Sequence, residues 1–193
     1  MIDKIKKRCS WCLKDPIYIK YHDEEWGVPV HDDKIHFEFL VLESAQAGLS
    51  WLTILKRREG YRKAYDGFDP NKVAKYDEEK IKEMMNDEGI IRNRRKIEAS
   101  IKNAKVFLQI QNEFGSFDKY IWFFTDGKSI INSFNKLEDL PAKSELSEKI
   151  SKDLKKRGCT FLGSTIMYSY LQAVGIINDH LVDCFRYKEL TNI

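Results

Sequence analysis

The carboxylate of Glu43 is the side chain that the sequence places best to do chemistry. It follows directly on a run of apolar residues: Phe37, Phe39, Leu40, Val41 and Leu42. Because that run should lie inside the protein, we expect Glu43 at the inner end of a buried helix. Burying a carboxylate is unfavourable unless it has a partner or a function. The alternative is a glutamate that only hydrogen-bonds to backbone groups at a packing corner.

A tight corner between two helices, residues 47–50, is predicted directly after this carboxylate. Gly48 is typical of a helix end, and Ser50 is typical of the N-cap of a following helix. The corner would hold an exposed Leu49 and lie beside the large flat ring of Trp51. A carboxylate, an apolar tip and a ring would thus lie close to one another.

Five amphipathic aromatic residues are candidates for a ligand pocket near Glu43: Trp11, Tyr18, Tyr21, Trp26 and Trp51. Nucleic acid bases stack on such rings, and each stacked base contributes roughly 1–3 kcal/mol. An enzyme that works on a base must first extrude it from the duplex into a pocket of this composition. An aromatic core is the alternative, and it explains any one ring better than it explains all five.

A tetrahedral metal site is predicted from cysteines and histidines near the two ends of the chain. Thiolate and imidazole ligands together favour Zn²⁺. His180 and Cys184 are four residues apart, which would place them on one face of a helical turn. Two ligand sets are possible, and spacing slightly favours the second: Cys9, His22, His180 and Cys184, or Cys9, Cys12, His180 and Cys184. Either set uses four protein ligands, so the metal would be structural and would join the N-terminal segment to the C-terminal one. Ordinary buried thiols and surface histidines are the alternative.

A short hairpin, residues 88–93, is predicted between two helices. It contains Gly89, Ile91 and Arg92, and Arg94 follows at the start of a basic helix. Exposed backbone N–H groups in such a turn, added to a helix N-terminus, form a site for a phosphate. Phosphate contacts position a protein on DNA without reading its sequence. A plain αα-hairpin is the alternative.

We interpret the composition as that of a soluble globular protein. The chain has 193 residues, of which 42% are hydrophobic and 33% charged, and its formal net charge is +3. This length allows one large domain or two small lobes, and no apolar run approaches the roughly 20 residues that span a bilayer. With no secretory signal evident, we expect a cytoplasmic protein whose four cysteines are not disulfide-bonded.

Three clusters of basic residues are candidates for phosphate binding: residues 56–58, 92–96 and 155–157. The alternative is that each cluster is a solvated helix end.

The elements that must position these side chains are helices, and the sequence predicts an all-α fold. Caps, glycine stops and helical spacing predict helices over residues 32–42, 51–65, 93–111, 116–124 and 164–173, and another that begins at Ser144 or Ser147 and ends at Arg157. A short polar helix capped by Asn71 or Asp77 is expected before the hairpin. Residues 1–36 carry little helical periodicity. The helix over 164–173 is apolar on most faces, so we expect it at the centre of the fold.

Several further stretches are long enough to be specific. They are YHDEEWGVP at residues 21–29, QAGLSW at 46–51, GIIR at 89–92, KKRG at 155–158 and NDH at 178–180. Together they resemble the 3-methyladenine DNA glycosylase I family, a branch of the helix-hairpin-helix DNA glycosylases, in register from about Arg8 to Cys184. The stretch 163–165 departs mildly, since the family often has two threonines there. The resemblance implies a helix-hairpin-helix DNA glycosylase-like helical bundle. Residues 1–193 would form a single domain of two helical lobes, with a zinc-bearing lobe formed by the termini.

The resemblance also implies roles for individual side chains in a base pocket. Glu43 would accept hydrogen bonds from the damaged adenine, with Tyr21 as a second polar contact, and Trp51 would stack on the base. The remaining rings would shape the pocket: Trp11, Tyr18 and Trp26.

The family's zinc ligands fall on four residues of this chain: Cys9, His22, His180 and Cys184. Of the two sets that spacing leaves open, the resemblance thus implies the first. Cys12 and Cys159 would then be free thiols.

The implied activity is that of a monofunctional DNA glycosylase in base excision repair. It would flip out and hydrolytically excise 3-methyladenine from alkylated double-stranded DNA, while Leu49 fills the gap in the base stack. Family members are expected to be monomers, and no protein partner is evident. The alternatives are a non-catalytic, zinc-stabilised nucleic-acid-binding module and a glycosylase for a different alkylated purine.

Overall fold

The computed structural model describes residues 6–191, and within them the protein is mostly helical. This confirms the helical fold class predicted from the sequence. In the part of the chain that is described, no helix is both long and apolar enough to cross a bilayer.

The α-helices of the described residues follow one another with short connections. They are α1 (Pro16–Glu24), α2 (Asp33–Gln46), α3 (Trp51–Leu55), α4 (Arg58–Ala64), α5 (Pro70–Val73), α6 (Glu78–Asn86), α7 (Arg94–Phe114), α8 (Phe117–Phe123), α9 (Glu145–Arg157), α10 (Ser164–Ala173) and α11 (Phe185–Thr191). Short 3-10 turns lie at Ser10–Cys12 and Leu137–Asp139.

Local capping explains where the helices that position the site begin and end. The carboxylate of Asp15 caps α1, and Pro16 occupies the first helical position. Asp32 caps α2 in the same way, and Asn93 caps α7. The long α7 ends at Gly115, whose φ of 85° is the left-handed conformation that glycine adopts most easily.

Helix α2 lies at the centre of the fold, in contact with α3, α7, α8 and α10. Ten of its 14 residues are buried. Because α2 is surrounded by other elements, it has no broad polar face, and Glu43 cannot turn its carboxylate toward bulk water. The predicted burial of Glu43 is therefore confirmed, with 3% of the residue exposed.

The N-terminal part of the chain differs from expectation. Residues 16–24 form α1, although the sequence showed little helical periodicity there. Only Tyr21 and His22 of this helix are buried, so the usual apolar stripe is missing. The predicted helix over 51–65 is two helices, α3 and α4, separated at Lys56 and Arg57.

Other boundaries also differ from those predicted. Asp69 and Asp77 cap two separate helices, α5 and α6, where one had been expected to begin at Asn71 or Asp77. One short element of sheet accompanies the helices, since β1 (Ile130–Ile131) pairs in parallel with β2 (Ile177–Asn178). These two-residue strands are too short for an alternating pattern to reveal them.

Candidate active site

A cavity of about 240 Å³ lies beside Glu43 and gathers all five of the predicted aromatic residues. We call it the aromatic cavity. Its lining residues are Trp11, Tyr18, Tyr21, Trp26, Glu43, Gln46, Trp51, Leu140, Ser169 and Gln172. They come from the first 3-10 turn, from α1, α2, α3 and α10, and from the loops that follow α1 and the second 3-10 turn.

The Glu43 carboxylate lacks the backbone partners that an ordinary buried glutamate would have. Its Oε2 atom is buried and has no hydrogen-bond partner among the described residues. Burial raises the pKa of Glu43 to about 8. An unpaired buried acceptor that lines a cavity is a group available to a ligand, because leaving it unpaired is unfavourable.

The rings form two contacting groups around the carboxylate. The Tyr21 and Trp51 ring centroids lie 5.5 Å apart. Trp11 meets Tyr18 edge to face at 4.8 Å and Trp26 at 5.0 Å. Trp51 Nε1 is a second buried polar atom without a partner among the described residues. The residues that line the cavity therefore offer flat apolar faces and include two buried polar atoms without a partner among the described residues.

Electrostatics tie Tyr21 to the same carboxylate. Burial raises the pKa of Tyr21 well above its ordinary value, and the nearby charge of Glu43 raises it further. The phenol therefore keeps its proton at neutral pH and can donate a hydrogen bond.

Four lining residues were missed as site residues from the sequence: Gln46, Leu140, Ser169 and Gln172. Gln46 belongs to the QAGLSW stretch, so a signal was present. Gln172 is a polar amide in a helix that is apolar on most faces, and a buried polar position of this kind is a usable signal. Leu140 comes from a loop, and nothing in the sequence pointed to it.

The corner after α2 has the predicted form. Gly48 adopts a φ of 79°, and the Ser50 hydroxyl accepts a hydrogen bond from the Thr53 N–H at the start of α3. Leu49 is 39% exposed, which is high for a leucine with a buried helix on either side. The corner thus presents an apolar side chain to the solvent next to the cavity.

The four residues implied as metal ligands come together in the interior. One ligand atom from each of Cys9, His22, His180 and Cys184 lies within 4.8 Å of the others, and all four residues are buried. Cys12 is not part of this cluster; its Sγ donates to the Cys9 carbonyl oxygen instead. The slight preference that spacing gave to the Cys9 and Cys12 pair was therefore wrong.

The distances in the cluster fit a tetrahedral ion. Cys184 Sγ lies 3.4 Å from His22 Nε2 and 3.5 Å from His180 Nδ1, and Cys9 Sγ lies 3.8 Å from His180 Nδ1. Zinc–sulfur bonds of about 2.3 Å and zinc–nitrogen bonds of about 2.0 Å at a tetrahedral angle separate the two atoms by about 3.5 Å. The donor set and its spacing therefore fit Zn²⁺.

Neighbouring groups set the tautomers that a metal needs. His22 Nδ1 donates to the Asp23 carboxylate at 2.8 Å, and His180 Nε2 donates to the Trp26 carbonyl oxygen at 2.9 Å. The other nitrogen of each ring, which faces Cys184, therefore carries the lone pair. His180 and Cys184 were expected on one helical turn, but they lie in an irregular stretch with a turn at Val182 and Asp183, before α11 begins.

The hairpin lies where predicted, between α6 and α7, but its backbone is less available than expected. The Gly89 N–H donates to Asp87, and the Ile91 N–H donates to the Tyr61 hydroxyl. The expectation that both of these N–H groups are exposed was wrong, because side chains beside the hairpin already satisfy them.

The basic side chains near the hairpin differ in their partners. Arg94 is held by two carboxylates, Glu78 and Glu98. Arg92 is half exposed, and among the described residues it forms a long ion pair of 3.9 Å with Glu88. Of the two arginines, Arg92 therefore has the side chain that a phosphate could engage at less cost.

The other two basic clusters have side chains that form ion pairs within the protein. In the first, Lys56 pairs with Asp15, and Arg58 forms ion pairs with Glu25 and Glu38. In the cluster at 155–157, Arg157 pairs with Glu113 and Asp153. These arginines join helices, and their charge is largely used within the protein.

The sequence as a whole matches one protein family. A family model described as methyladenine glycosylase matches residues 11–187. The chain belongs to the methyladenine glycosylase family. The matched span contains the whole aromatic cavity and all the clustered metal-capable residues except Cys9.

Curated relatives in this family are similar over nearly their full length. DNA-3-methyladenine glycosylase 1 of Escherichia coli is 46% identical over 181 residues, which cover 94% of this chain and 97% of that protein. DNA-3-methyladenine glycosylase of Haemophilus influenzae is 46% identical over 177 residues, covering 92% and 96%.

Solved structures of family members share the fold. A crystal structure of 3-methyladenine DNA glycosylase I superposes with a TM-score of 0.90 at 45% identity, covering 93% of this chain and 98% of that one. The Staphylococcus aureus enzyme, in a structure concerned with 3-methyladenine recognition, gives a TM-score of 0.89 at 40% identity, covering 92% and 95%. A variant in complex with 3-methyladenine gives 0.89 at 39% identity, covering 92% and 96%.

Proposed function

We infer that this protein is a DNA glycosylase that releases 3-methyladenine from alkylated DNA. The observation that carries this inference is the buried, unpartnered carboxylate of Glu43 beside an aromatic cavity. Family membership and relatives named for this activity support it.

Recognition of the base rests on its charge. Methylation at N3 makes adenine cationic within DNA, and a cation stabilises the ionised form of an acid beside it. Glu43, whose pKa is raised to about 8 by burial, would ionise on binding and accept hydrogen bonds from the base. The faces of Trp51 and the neighbouring rings would favour an electron-poor ring through cation–π attraction. Tyr21 would provide a second polar contact.

The reaction needs little help from the protein once the base is bound. The bond between C1′ and N9 breaks, and its electron pair moves onto the base, which leaves as a neutral molecule. A water oxygen then forms a bond to C1′ and loses a proton. We assign Glu43 to the electrostatic stabilisation of the base during this step, not to nucleophilic attack.

Access to the base requires extrusion from the duplex. Leu49 at the exposed corner is placed to fill the space that the base leaves. The hairpin would hold a phosphate of the same strand, chiefly through Arg92, as a helix-hairpin-helix glycosylase would. We further propose that residues 1–193 form one domain of two helical lobes that acts as a monomer on double-stranded DNA.

We propose a structural zinc ion held by Cys9, His22, His180 and Cys184. All four ligand positions would be filled by protein, so no position is left for a substrate. The site lies directly behind the cavity, since the Trp26 ring contacts the His180 ring at 4.5 Å. The ion would thereby fix the wall that Trp26 and Trp11 form.

Chromatography of the bases released from methylated DNA tests the proposed activity. Free 3-methyladenine should dominate, and Glu43→Gln should release it far more slowly. A dominant release of 7-methylguanine would assign the enzyme to another lesion. Binding of DNA without any released base, by a folded protein, would favour a non-catalytic binding module.

A further inference from the structure

Gln172 is a polar residue of the aromatic cavity to which the proposed function assigns no role. It lies on α10, which packs against the α2 helix that carries Glu43, and only 9% of it is exposed. Both residues line the same cavity. A buried amide at such a position can read a ligand by hydrogen bonds.

The orientation of the Gln172 amide is fixed by a buried carboxylate. Gln172 Nε2 donates to Asp179 Oδ2 at 2.6 Å. An ionised carboxylate only accepts hydrogen bonds, so the nitrogen end of the amide must face Asp179. The Oε1 acceptor, at the other end of the planar amide, is then the group left for a ligand.

Asp179 is itself held from two other directions. Asn132 Nδ2 donates to its Oδ1 at 2.7 Å, and the Tyr168 hydroxyl donates to its Oδ2. The residue is 1% exposed and directly follows strand β2, whose pairing with β1 brings Asn132 alongside. A carboxylate with three donors cannot rotate away, so it holds the amide of Gln172 in one orientation.

We propose that Gln172 Oε1 is a second acceptor for the exocyclic amino group of the bound base, and that Asp179 is the positioning residue for it. The inference rests on the proposed function. The amino group at position 6 of adenine has two N–H donors, so Glu43 and Gln172 can each accept one. A purine with an oxygen at position 6 would present an acceptor to the fixed acceptor of Gln172, which is repulsive. Gln172 would thus make the cavity select 6-amino over 6-oxo purines.

The hydrogen bond to Asp179 matters because a glutamine amide can otherwise adopt either of two flipped orientations. If the amide could rotate by half a turn, its NH₂ group would face the base and suit an oxygen at position 6 equally well. Asp179 removes this second orientation. Selectivity for the amino group then depends on the pair, whereas the affinity for any flat cationic ring depends on the aromatic residues.

Binding of two free bases that carry an amino group or an oxygen at position 6 tests the proposal. The probes are 3-methyladenine and 3-methylhypoxanthine, and the readout is the change in tryptophan fluorescence on titration, since three tryptophans line the cavity. In Gln172→Met, which keeps the approximate volume and removes the acceptor, the ratio of the two dissociation constants should fall about tenfold. Gln109→Met, at an exposed position of α7, is the matched control and should keep the parental ratio.

The outcomes separate this proposal from the proposed function. A merely structural role for Gln172 would weaken both bases alike, and an unchanged ratio overturns the proposal while leaving the glycosylase intact. If the parent protein bound neither base, the base pocket itself would be wrong. Asp179→Asn provides a second test, because an amide partner permits both orientations of Gln172. The ratio should fall again, and an unaltered ratio in this folded variant contradicts the positioning role.

Discussion

The ammonium group of Lys96 donates a hydrogen bond to the carbonyl oxygen of Ala47 at 2.7 Å, and a second to that of Ala45 at 2.8 Å. Lys96 lies in the first turn of α7, directly after the hairpin, and is 8% exposed. Its two acceptors are at the end of α2, between Glu43 and Leu49. A cation there satisfies helix-end carbonyls and complements the helix dipole. One side chain therefore connects the hairpin, the corner and the α2 helix that carries Glu43.

Replacing Lys96 should slow base release from duplex DNA more than it weakens binding of the free base. Lys96→Met removes the donor to one buried and one partly buried carbonyl group, so the free energy of unfolding should fall by about 1–3 kcal/mol. Because the corner loses its support, release of 3-methyladenine from duplex DNA should slow by about tenfold or more, on the scale of two lost hydrogen bonds.

The role of Lys96 is decided by comparing the rate of base release from duplex DNA with the affinity for the free base. Affinity for free 3-methyladenine should stay near that of the parent, because the cavity does not include Lys96. Lys105→Met, an exposed lysine of the same helix, serves as control. Equal losses in duplex and free-base assays would show that Lys96 supports the fold only.

Truncating the exposed Leu49 side chain should impair extrusion of the base from the duplex without lowering the stability of the protein. Leu49→Ala removes the group placed to fill the base stack, which contributes a few kcal/mol at most. We expect affinity for lesion-containing duplex to fall by about tenfold, measured by fluorescence anisotropy. Stability should hardly change, since the side chain is 39% exposed.

The Leu49 experiment has a matched control at the other end of α2. Ile35 is 38% exposed, and Ile35→Ala removes a similar apolar area far from the cavity. If both variants bind lesion DNA as tightly as the parent, Leu49 is not the wedge.

The buried carboxylate predicts a pH dependence of stability. The pKa of Glu43 is raised from its ordinary 4.5 to about 8 by burial. An acid with a higher pKa in the folded state holds its proton more tightly there, so its contribution is complete below about 4.5 and is lost as the pH rises through about 8. Glu43→Gln stays neutral, and its stability relative to the parent should increase over this range by an amount on the order of a few kcal/mol.

Chemical denaturation of both proteins at pH 5 and pH 9 measures that difference. The matched control is Glu79→Gln, which removes an exposed carboxylate on α6. Its stability relative to the parent should be the same at both pH values. A parent and a Glu43→Gln variant with parallel pH profiles would mean that the carboxylate is not desolvated in the folded protein.

The metal cluster predicts both a stoichiometry and a consequence of removal. We expect one zinc per chain by atomic absorption, and loss of zinc from His180→Ala. A chelator should lower the melting temperature, since metal binding to a folded site contributes directly to folding free energy. Cys12→Ser should keep full zinc content, because Cys12 lies outside the cluster. Zinc loss from Cys12→Ser with retention in His180→Ala would reverse the assignment.

The features that sequence predicted well are those set by neighbouring residues. The corner is an example, since Gly48 and Ser50 determine their own turn through φ and capping. Glu43 was predicted to be buried because the apolar residues before it are adjacent in sequence. Local chemistry of this kind needs no knowledge of the fold.

Features that depend on distant contacts were beyond sequence reasoning. The choice between Cys12 and His22 in the metal cluster depends on how α1 packs, which spacing does not encode. Helix α1 escaped prediction because its buried side consists of Tyr21 and His22 and not of an apolar stripe. The place of Gln172 in the cavity depends on α10 lying against α2, a relationship over more than 120 residues of sequence.

Helix α4 packs closely against the hairpin at Gly60. A Cβ atom on Gly60 would overlap the backbone of Gly89, so the helix and the hairpin are in direct backbone contact. Gly60→Ala must displace the hairpin, and overpacking of this kind lowers stability by about 1–3 kcal/mol. Affinity for undamaged duplex should fall with it, while free 3-methyladenine should bind as before, because the aromatic cavity does not include the hairpin. Glu59→Ala, one residue away and exposed, should behave like the parent. Because undamaged DNA offers no base to extrude, an unchanged affinity of Gly60→Ala for it would mean that the hairpin is not the phosphate contact.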